Sequence, residues 1–199
     1  MHGFHGQLLH VDLNSGKSSW RELDESRLRA YLGGIGLGTS LLYEHAPPGI
    51  DPYAPENPLI FSSAPLVGTG LTTTAKFAVV TKSPLTGFIA DSLSSSHFAL
   101  ELKRVGLDAL VITGQASSLV YILIHNDKVE IRQAEQLRGK SPNETESQIR
   151  SELSSPSLRV AAIGKAGENL VRFATISNEG RHAGRGGVGR ACRTGLPIT

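Results

Sequence analysis

The chain has 199 residues, 39% hydrophobic and 19% charged, which predicts one domain large enough to bury a core. Its net charge of +2 argues against a general nucleic-acid binder, and its single cysteine, Cys192, excludes an internal disulfide and a four-cysteine iron–sulfur site within these residues. No apolar run approaches the ~20 residues of a membrane helix, and the first residues lack a secretion-signal layout, so we expect a cytoplasmic protein.

The first half predicts a hairpin, helices and short apolar strands, because apolar residues alternate in some segments and recur at helical spacing in others. Asp24 is a good helix cap before Leu28. The predicted elements are strands at 7–13 and 18–23, helices after residue 24 and at 39–45, strands at 59–63 and 77–81, a helix at 94–105 and a strand at 107–113.

The second half predicts a hairpin from strands 120–125 and 129–132 around a turn at 126–128. Ser141, Pro142 and Glu144 form a capping box that opens a helix to about residue 153. Strands are expected at 158–163 and 170–176. Strands outnumber helices, so the sequence predicts an α+β fold with antiparallel or mixed sheets. Each half carries a hairpin, a helix and apolar strands, which leaves a weak structural duplication open.

A first glycine run, at 33–38, has two interpretations. A dinucleotide-binding loop follows a strand and opens a helix. Here the preceding residues 28–32 are themselves helical, so we favour a break between two helical pieces with close packing.

A second glycine-rich segment, at 180–189, holds five glycines together with Arg181 and Arg185. Glycines let backbone N–H groups approach a ligand, and guanidinium groups suit phosphate or a planar heterocycle. The expected ligand is therefore an anion with a flat polar ring. The alternative is a disordered basic tail that binds RNA loosely. The predicted strand before the segment favours an ordered loop.

Three other features have both a binding and a structural interpretation. Residues 72–76 and 82–87 suit a phosphate site and are equally typical of turns. Ser94–Ser96 predict either an anion site at a helix start or an ordinary helix cap. The seven histidines show no metal-ligand spacing, so no metal-binding residue is expected.

Taken together, these segments resemble the N-terminal domain of the aldehyde:ferredoxin oxidoreductases, the tungsten-pterin enzymes. The resemblance runs from about residue 3 to 189, and its most specific pieces are KSPLTG and AGRGGVG in this order and separation. The matching segments are 6–16 (GQLLHVDLNSG), 31–37 (YLGGIGL), 79–88 (VVTKSPLTGF), 101–103 (ELK), 163–171 (IGKAGENLV) and 181–189 (RHAGRGGVG).

The resemblance implies an α+β domain whose two β-sheets form a saddle for a bis-molybdopterin cofactor with tungsten or molybdenum. Such enzymes oxidise aldehydes to carboxylic acids and pass electrons through a [4Fe–4S] cluster to ferredoxin. The positions implied to hold the cofactor are Lys76, Ser94, Ser95, Ser96, Arg181, His182, Ala183, Gly184, Arg185, Gly186 and Gly187. No catalytic residue is implied in this chain.

The sequence departs from the family in three places. Lys76 stands where the family commonly has Arg, which keeps the charge but loses the fork. Leu93 replaces an Asn that helps to hold Mg²⁺ between the pterin phosphates, and this counts against that ion. Residues 190–199 are unlike the family, so we expect a pterin-binding domain at 1–189 and an atypical tail left by truncation or a shifted reading frame.

The expected partners are the missing C-terminal domains, or a separate subunit that carries them, and ferredoxin in the full enzyme. Those domains would supply the cluster cysteines and the acid/base residues. A homodimer is an open option, and neither nucleic acid nor a membrane is an expected partner. The alternative function is a stand-alone, non-catalytic module that binds pterin or a nucleotide.

Overall fold

The computed structural model describes residues 2–125 and 128–191. The strands are β1 (Gln7–Asp12), β2 (Lys17–Glu22), β3 (Leu59–Ser62), β4 (Lys76–Lys82), β5 (Ile89–Ser95), β6 (Ala109–Thr113), β7 (Val120–His125), β8 (Lys128–Gln133), β9 (Ile176–Asn178) and β10 (Arg181–Ala183). The α-helices are α1 (Glu25–Tyr31), α2 (Gly34–His45), α3 (His97–Arg104), α4 (Pro142–Glu152), α5 (Lys165–Glu168) and α6 (Val188–Ala191). Within the described ranges, no helix is long and apolar enough to cross a membrane.

A six-stranded mixed sheet is the centre of the fold, with the strand order β2-β1-β6-β3-β4-β5. Its neighbours are antiparallel except β1 and β6, which run parallel. Hairpins β7–β8 and β9–β10 form two further two-stranded sheets. This arrangement confirms the predicted α+β class with mixed and antiparallel pairing.

One face of the six-stranded sheet is covered by α1 and α2. Leu37 and Leu41 of α2 are buried together with Ile60 and Val80 of the sheet. The approach is close at Gly38, because a Cβ atom there would lie 2.6 Å from Cγ2 of Val80. The apolar side chains of this face are therefore removed from water, which is the main favourable term in folding.

The opposite face carries the larger core, which includes residues of α3, β7, β9 and the C-terminal segment. Phe61, Phe77 and Phe98 form its aromatic centre, with ring centroids 4.9 to 6.1 Å apart. These distances are typical of favourable aromatic pairs. This core holds α3 and β9 beside β4 and β5, where the candidate site is formed.

Strand β5 lies at the edge of the sheet. Helices α1 and α2 cover one face of the sheet, but on that face β5 itself is exposed. The pairing of Leu93 with Ala78 and of Ile89 with Lys82 places Leu93 and Ile89 on that side. Their exposed fractions are 51% and 57%. We call Ile89 and Leu93 the exposed apolar face of β5.

Several local predictions are confirmed. Hairpins β1–β2 and β7–β8 form, although the predicted turn residues 126 and 127 lie outside the described residues. The Asp24 carboxylate caps α1 by accepting from the Arg27 N–H, and both hydrogen bonds of the Ser141–Glu144 capping box are present at α4.

Three secondary-structure predictions are wrong. Residues 158–163 form no strand, and only Ala162 makes an isolated bridge, to Ser177. Residues 170–175 are turns and irregular backbone after α5, and β9 begins only at residue 176. Residues 94 and 95 belong to β5, a strand that we did not predict, and α3 starts at His97.

The first glycine run is a helix start and not a loop. Gly33 is the N-cap of α2, and Gly34 opens the helix, so the break after α1 is confined to residues 32–33. The close packing expected there is confirmed at Gly33, where a Cβ atom would lie 2.6 Å from the carbonyl oxygen of Ser63. The weak structural duplication and the saddle shape of the two sheets stay predictions. Hairpin β1–β2 belongs to the six-stranded sheet, whereas hairpin β7–β8 forms a separate two-stranded sheet.

Candidate functional site

A cavity of about 680 Å³ lies where β4, β5, the start of α3 and the β9–β10 turn meet. We call it the basic cavity. It brings together four of the predicted site residues, which are Lys76, Ser95, Ser96 and Arg181. The other lining residues are Thr73, Ala75, His97, Leu100 and Glu179.

Strand pairing explains how residues far apart in sequence reach this cavity. Lys76 starts β4 and pairs with Ser95 at the end of β5, so their side chains share one side of the sheet. Arg181 starts β10 immediately after the two-residue turn. Among the residues that the structure describes, neither Lys76 nor Arg181 forms an ion pair. The cavity therefore presents two cationic groups whose charge is not used within the fold.

The three serines differ in what they offer to a ligand. The Ser96 hydroxyl oxygen caps α3 by accepting from the Phe98 N–H. Within residues 2–125 and 128–191, no group accepts its own proton, so the hydroxyl can still donate to a ligand. Ser95 lies half-buried in the cavity wall. Ser94 is buried on the other side of β5 and accepts a 3.0 Å hydrogen bond from Nδ2 of Asn178, so its hydroxyl is engaged in the fold.

The glycine-rich segment after Arg181 is ordered and lies tightly against the sheet. Gly186 has a φ of +70° and accepts a 2.7 Å hydrogen bond from the Ser83 hydroxyl. Gly187 has a φ of +73°, and a Cβ atom there would collide with the carbonyl oxygen of Arg172. Glycine is needed at both positions for close approach to neighbouring backbone and side chains. The two glycines therefore anchor the segment.

The remaining predicted positions lie outside the wall of the basic cavity. Ala183 is fully buried, and Gly184 follows it beside Thr175. A 3.0 Å hydrogen bond joins Nδ1 of His182 to Oγ1 of Thr175, and the Arg185 N–H donates to the Ser92 hydroxyl at 3.1 Å. The assignment of these residues to cofactor binding stays a prediction. In the structure, the hydrogen bonds of His182 and Arg185 hold the glycine-rich segment against its neighbours.

Sequence reasoning missed two ionisable residues of the cavity, His97 and Glu179. The Glu179 carboxylate accepts from the His97 N–H at 2.8 Å and from the Arg159 guanidinium at 2.7 Å. Burial opposes ionisation of Glu179, but these two neighbours outweigh it and lower the pKa of this carboxyl below its usual range. The only local signal was Gly180, which favours a turn, and no motif marked Glu179 or His97.

The basic cavity suits a ligand that carries phosphate groups. An ammonium, a guanidinium and two hydroxyl groups are donors that phosphate oxygens accept from readily. Leu93 has no side-chain oxygen, so its side chain is no ligand for Mg²⁺. In the described part of the chain, no three His, Cys, Asp or Glu side chains are placed to hold a metal ion. The donor set therefore fits a ligand that carries phosphate groups.

Comparison with known proteins supports the resemblance of the sequence to the aldehyde:ferredoxin oxidoreductases. The family described as "Aldehyde ferredoxin oxidoreductase, N-terminal domain" matches residues 8–193. The tungsten-containing aldehyde ferredoxin oxidoreductase of Pyrococcus furiosus is 47% identical over 190 residues, which are 95% of this chain and 31% of that protein. The aliphatic sulfonate oxidoreductase, WOR-like subunit, of the same organism is 38% identical over 205 residues, which are 95% of this chain and 32% of that protein.

A solved structure shares the whole fold. The active site complex BamBC of benzoyl coenzyme A reductase, in complex with 1,5-dienoyl-CoA, matches with a TM-score of 0.96 and 41% sequence identity. The match covers 99% of this chain and 30% of that chain. The present chain spans about a third of the length of the curated relatives that it matches. With the family matched over residues 8–193, the chain belongs to the aldehyde ferredoxin oxidoreductase family, whose N-terminal domain it contains.

Proposed function

We propose that this chain forms the N-terminal, phosphate-binding wall of a tungsten bis-pterin site in an enzyme that oxidises aldehydes to carboxylic acids. One observation carries the proposal. Lys76 and Arg181 are more than a hundred residues apart in sequence, yet they line the same cavity and form no ion pair within the described residues. The name of the Pyrococcus furiosus relative supports tungsten as the metal.

The residues of the chain bind and orient the cofactor. Lys76 and Arg181 donate charge-assisted hydrogen bonds to phosphate oxygens, and the hydroxyl groups of Ser95 and Ser96 add neutral ones. The anchored glycines 186 and 187 keep Arg181 from moving with a loose loop. When bound, the tungsten-pterin group supplies the two-electron redox chemistry of the reaction. No residue of this chain is assigned a proton transfer.

Other parts of the enzyme complete the site in this proposal. A [4Fe–4S] cluster needs four thiolates and the chain has one cysteine, so the cluster and the contact with ferredoxin belong to further domains or a separate subunit. The exposed apolar face of β5 is a surface that such domains would cover. We propose that the complete enzyme is cytoplasmic. A homodimer, where one forms, would be a property of the complete enzyme.

The choice of aldehyde as the substrate class rests on the relatives. The matched relatives named as aldehyde ferredoxin oxidoreductases are 44–47% identical to this chain, whereas the aliphatic sulfonate oxidoreductase subunit is 38% identical. The same domain occurs in proteins of different names, which supports the proposal that it holds the cofactor and that other domains select the substrate. This separation of roles makes cofactor retention a better test than turnover.

The test is cofactor retention during purification. The chain is produced in a host that makes molybdopterin and is supplied with tungstate, alone and with the C-terminal two-thirds of the Pyrococcus furiosus relative in trans. Tungsten, molybdenum and pterin are then measured per chain. We expect pterin and tungsten with the wild type and with the control R132M on exposed β8, and at least a tenfold loss in the double variant K76M/R181M.

Two results count against the proposal. One is the absence of pterin from the wild type even when the other domains are supplied. The other is equal retention by the wild type and the double variant. Molybdenum in place of tungsten would correct the metal and leave the role of the cavity intact.

A further inference from the structure

We propose that Glu179 is a positioning residue that holds the β9–β10 hairpin against the start of α3, so that Arg181 and Ser96 face one ligand. The inference rests on the proposed function of the basic cavity. It concerns a residue that belongs to neither the predicted site nor the large core.

Three hydrogen bonds to one carboxylate carry the inference. Oε2 of Glu179 accepts from the His97 N–H at 2.8 Å, and Oε1 accepts from the Arg159 guanidinium at 2.7 Å. Oε1 also lies 3.2 Å from Nδ1 of His97. The Glu179 side chain is 17% exposed, whereas that of His97 is 65% exposed. One side chain therefore ties the turn to α3 and to the segment before β9.

The backbone conformation at Glu179 is one that a glutamate side chain does not favour. Glu179 and Gly180 have φ angles of +48° and +73°, the combination of a two-residue type I′ turn. Asn, Asp and Gly adopt the first position of such a turn readily, whereas Glu gains nothing local to offset a left-handed conformation. The reach of the longer carboxylate to α3 accounts for a glutamate in this strained position.

A second tether makes the hairpin a rigid support. Asn178, the residue before Glu179, is 1% exposed and donates from Nδ2 to the Ser94 hydroxyl of β5 at 3.0 Å. The hairpin is thus fixed to β5 at Asn178 and to α3 at Glu179. Arg181 follows two residues later, so its Cα position depends on both contacts.

The Arg159–Glu179 pair also explains how an acidic residue is tolerated beside an anion site. A lone carboxylate in the wall would repel phosphate. Its contact with Arg159, whose side chain is 26% exposed, offsets that charge. Lys76 and Arg181 consequently remain the net charge that a ligand meets in the cavity.

The experiment uses the full chain and inorganic pyrophosphate as the probe. Glu179→Asn fits the left-handed turn but is too short to reach His97, and Glu179→Gln keeps the acceptor for the His97 N–H but loses the charge. The control is Glu130→Gln on exposed β8, where the carboxylate also pairs with an arginine, Arg132. Affinity is measured by calorimetry, and hydrogen exchange of the His97 amide is measured by NMR without ligand.

We expect Glu179→Asn to bind pyrophosphate at least fivefold more weakly and to exchange the His97 amide at least tenfold faster, with cooperative unfolding retained. Glu179→Gln should fall between Glu179→Asn and the wild type, and Glu130→Gln should match the wild type. Partial recovery by Gln separates positioning from a general loss of folding.

Two outcomes overturn the inference: unchanged exchange at His97 in Glu179→Asn, or wild-type affinity in that variant. A wild type that binds no pyrophosphate would instead overturn the proposed function of the basic cavity, a result that is distinct because the exchange experiment needs no ligand.

Discussion

The basic side chains of the central sheet region, which we call the scaffold, and of the basic cavity differ in whether they have an acidic partner. In the scaffold, Lys103 and Asp108 are 9% and 1% exposed and lie 2.6 Å apart, and Asp108 also accepts from the N–H groups of His5 and Gly6. In the cavity, Lys76 and Arg181 form no ion pair among the described residues. Charge that the fold needs is paired and buried, and charge left without a partner is available to a ligand.

This difference predicts which substitutions affect stability and which affect binding. A buried ion pair gives little net stability against apolar residues, but removal of one partner leaves a buried charge uncompensated. A cation at a cavity rim is solvated in either case, so its removal leaves the folded state almost unchanged. Stability and binding should therefore respond to different residues.

The largest expected effect on stability is at Asp108. Asp108→Ala leaves the buried Lys103 ammonium without its carboxylate, with only the Gly3 carbonyl oxygen as acceptor, and removes the acceptor of the His5 and Gly6 N–H groups. We therefore expect a loss of about 3–5 kcal/mol in the free energy of unfolding. Urea denaturation of the full chain measures it. A loss below about 1 kcal/mol would show that the pair is not part of the scaffold.

The next effect separates two kinds of glycine in the second glycine-rich segment. Gly187 and Gly180 both have a φ of +73°, but only at Gly187 would a Cβ atom meet a neighbouring backbone. We expect Gly180→Ala to destabilise by about 1 kcal/mol and Gly187→Ala by about 3 kcal/mol or more. The matched pair is compared by thermal and urea denaturation. Equal losses would contradict the tight anchoring of residues 186–187.

A smaller effect depends on pH and comes from a histidine pair between β1 and α2. The rings of His10 and His45 are 5.3 Å apart, and burial, with the positive charge of Arg21 nearby, lowers the pKa of both below 6.5. The unfolded chain therefore takes up protons that the folded state does not, so stability is full above pH ~6.5 and falls as the pH decreases.

The measurement is the urea midpoint at pH 7.5 and at pH 5. The double variant H10Q/H45Q should lose less stability between these pH values than the wild type. An identical loss in both proteins would assign the pH dependence to other groups.

The smallest effect on stability is expected at Lys76, where the effect on binding should be large. K76M should change the free energy of unfolding by less than about 0.5 kcal/mol and weaken pyrophosphate binding about tenfold. K76R should bind at least as tightly as the wild type, because its fork suits phosphate. Calorimetry at fixed ionic strength provides the affinities. Strong destabilisation by K76M would mean that Lys76 belongs to the scaffold.

Local signals in the sequence predicted much of the fold. The β1–β2 hairpin and the Ser141 capping box depend on neighbouring residues, and both were found where expected. Strand β5 was missed because serines replace apolar residues on its inner side, where Asn178 and backbone groups meet Ser92 and Ser94. Residues 158–163 are apolar enough for a strand, but only Ala162 finds a pairing partner.

The candidate site could be predicted only in part, because local sequence signals identify residue types and not their tertiary contacts. The residue types of Lys76 and Arg181 indicated anion binding, whereas their meeting in one cavity depends on the β4–β5 register and on the hairpin contacts. Glu179 carried no motif, since its role arises from a helix more than eighty residues earlier in the chain. Contacts of this kind are determined by tertiary structure and not by local pattern.

The most direct measurement is a crystal structure of the cofactor-loaded chain together with its complementary domains, with tungsten located by anomalous scattering. We expect pterin phosphate oxygens within hydrogen-bond distance of Lys76 Nζ and the Arg181 guanidinium. A cofactor bound elsewhere, with both groups facing only water, would contradict it.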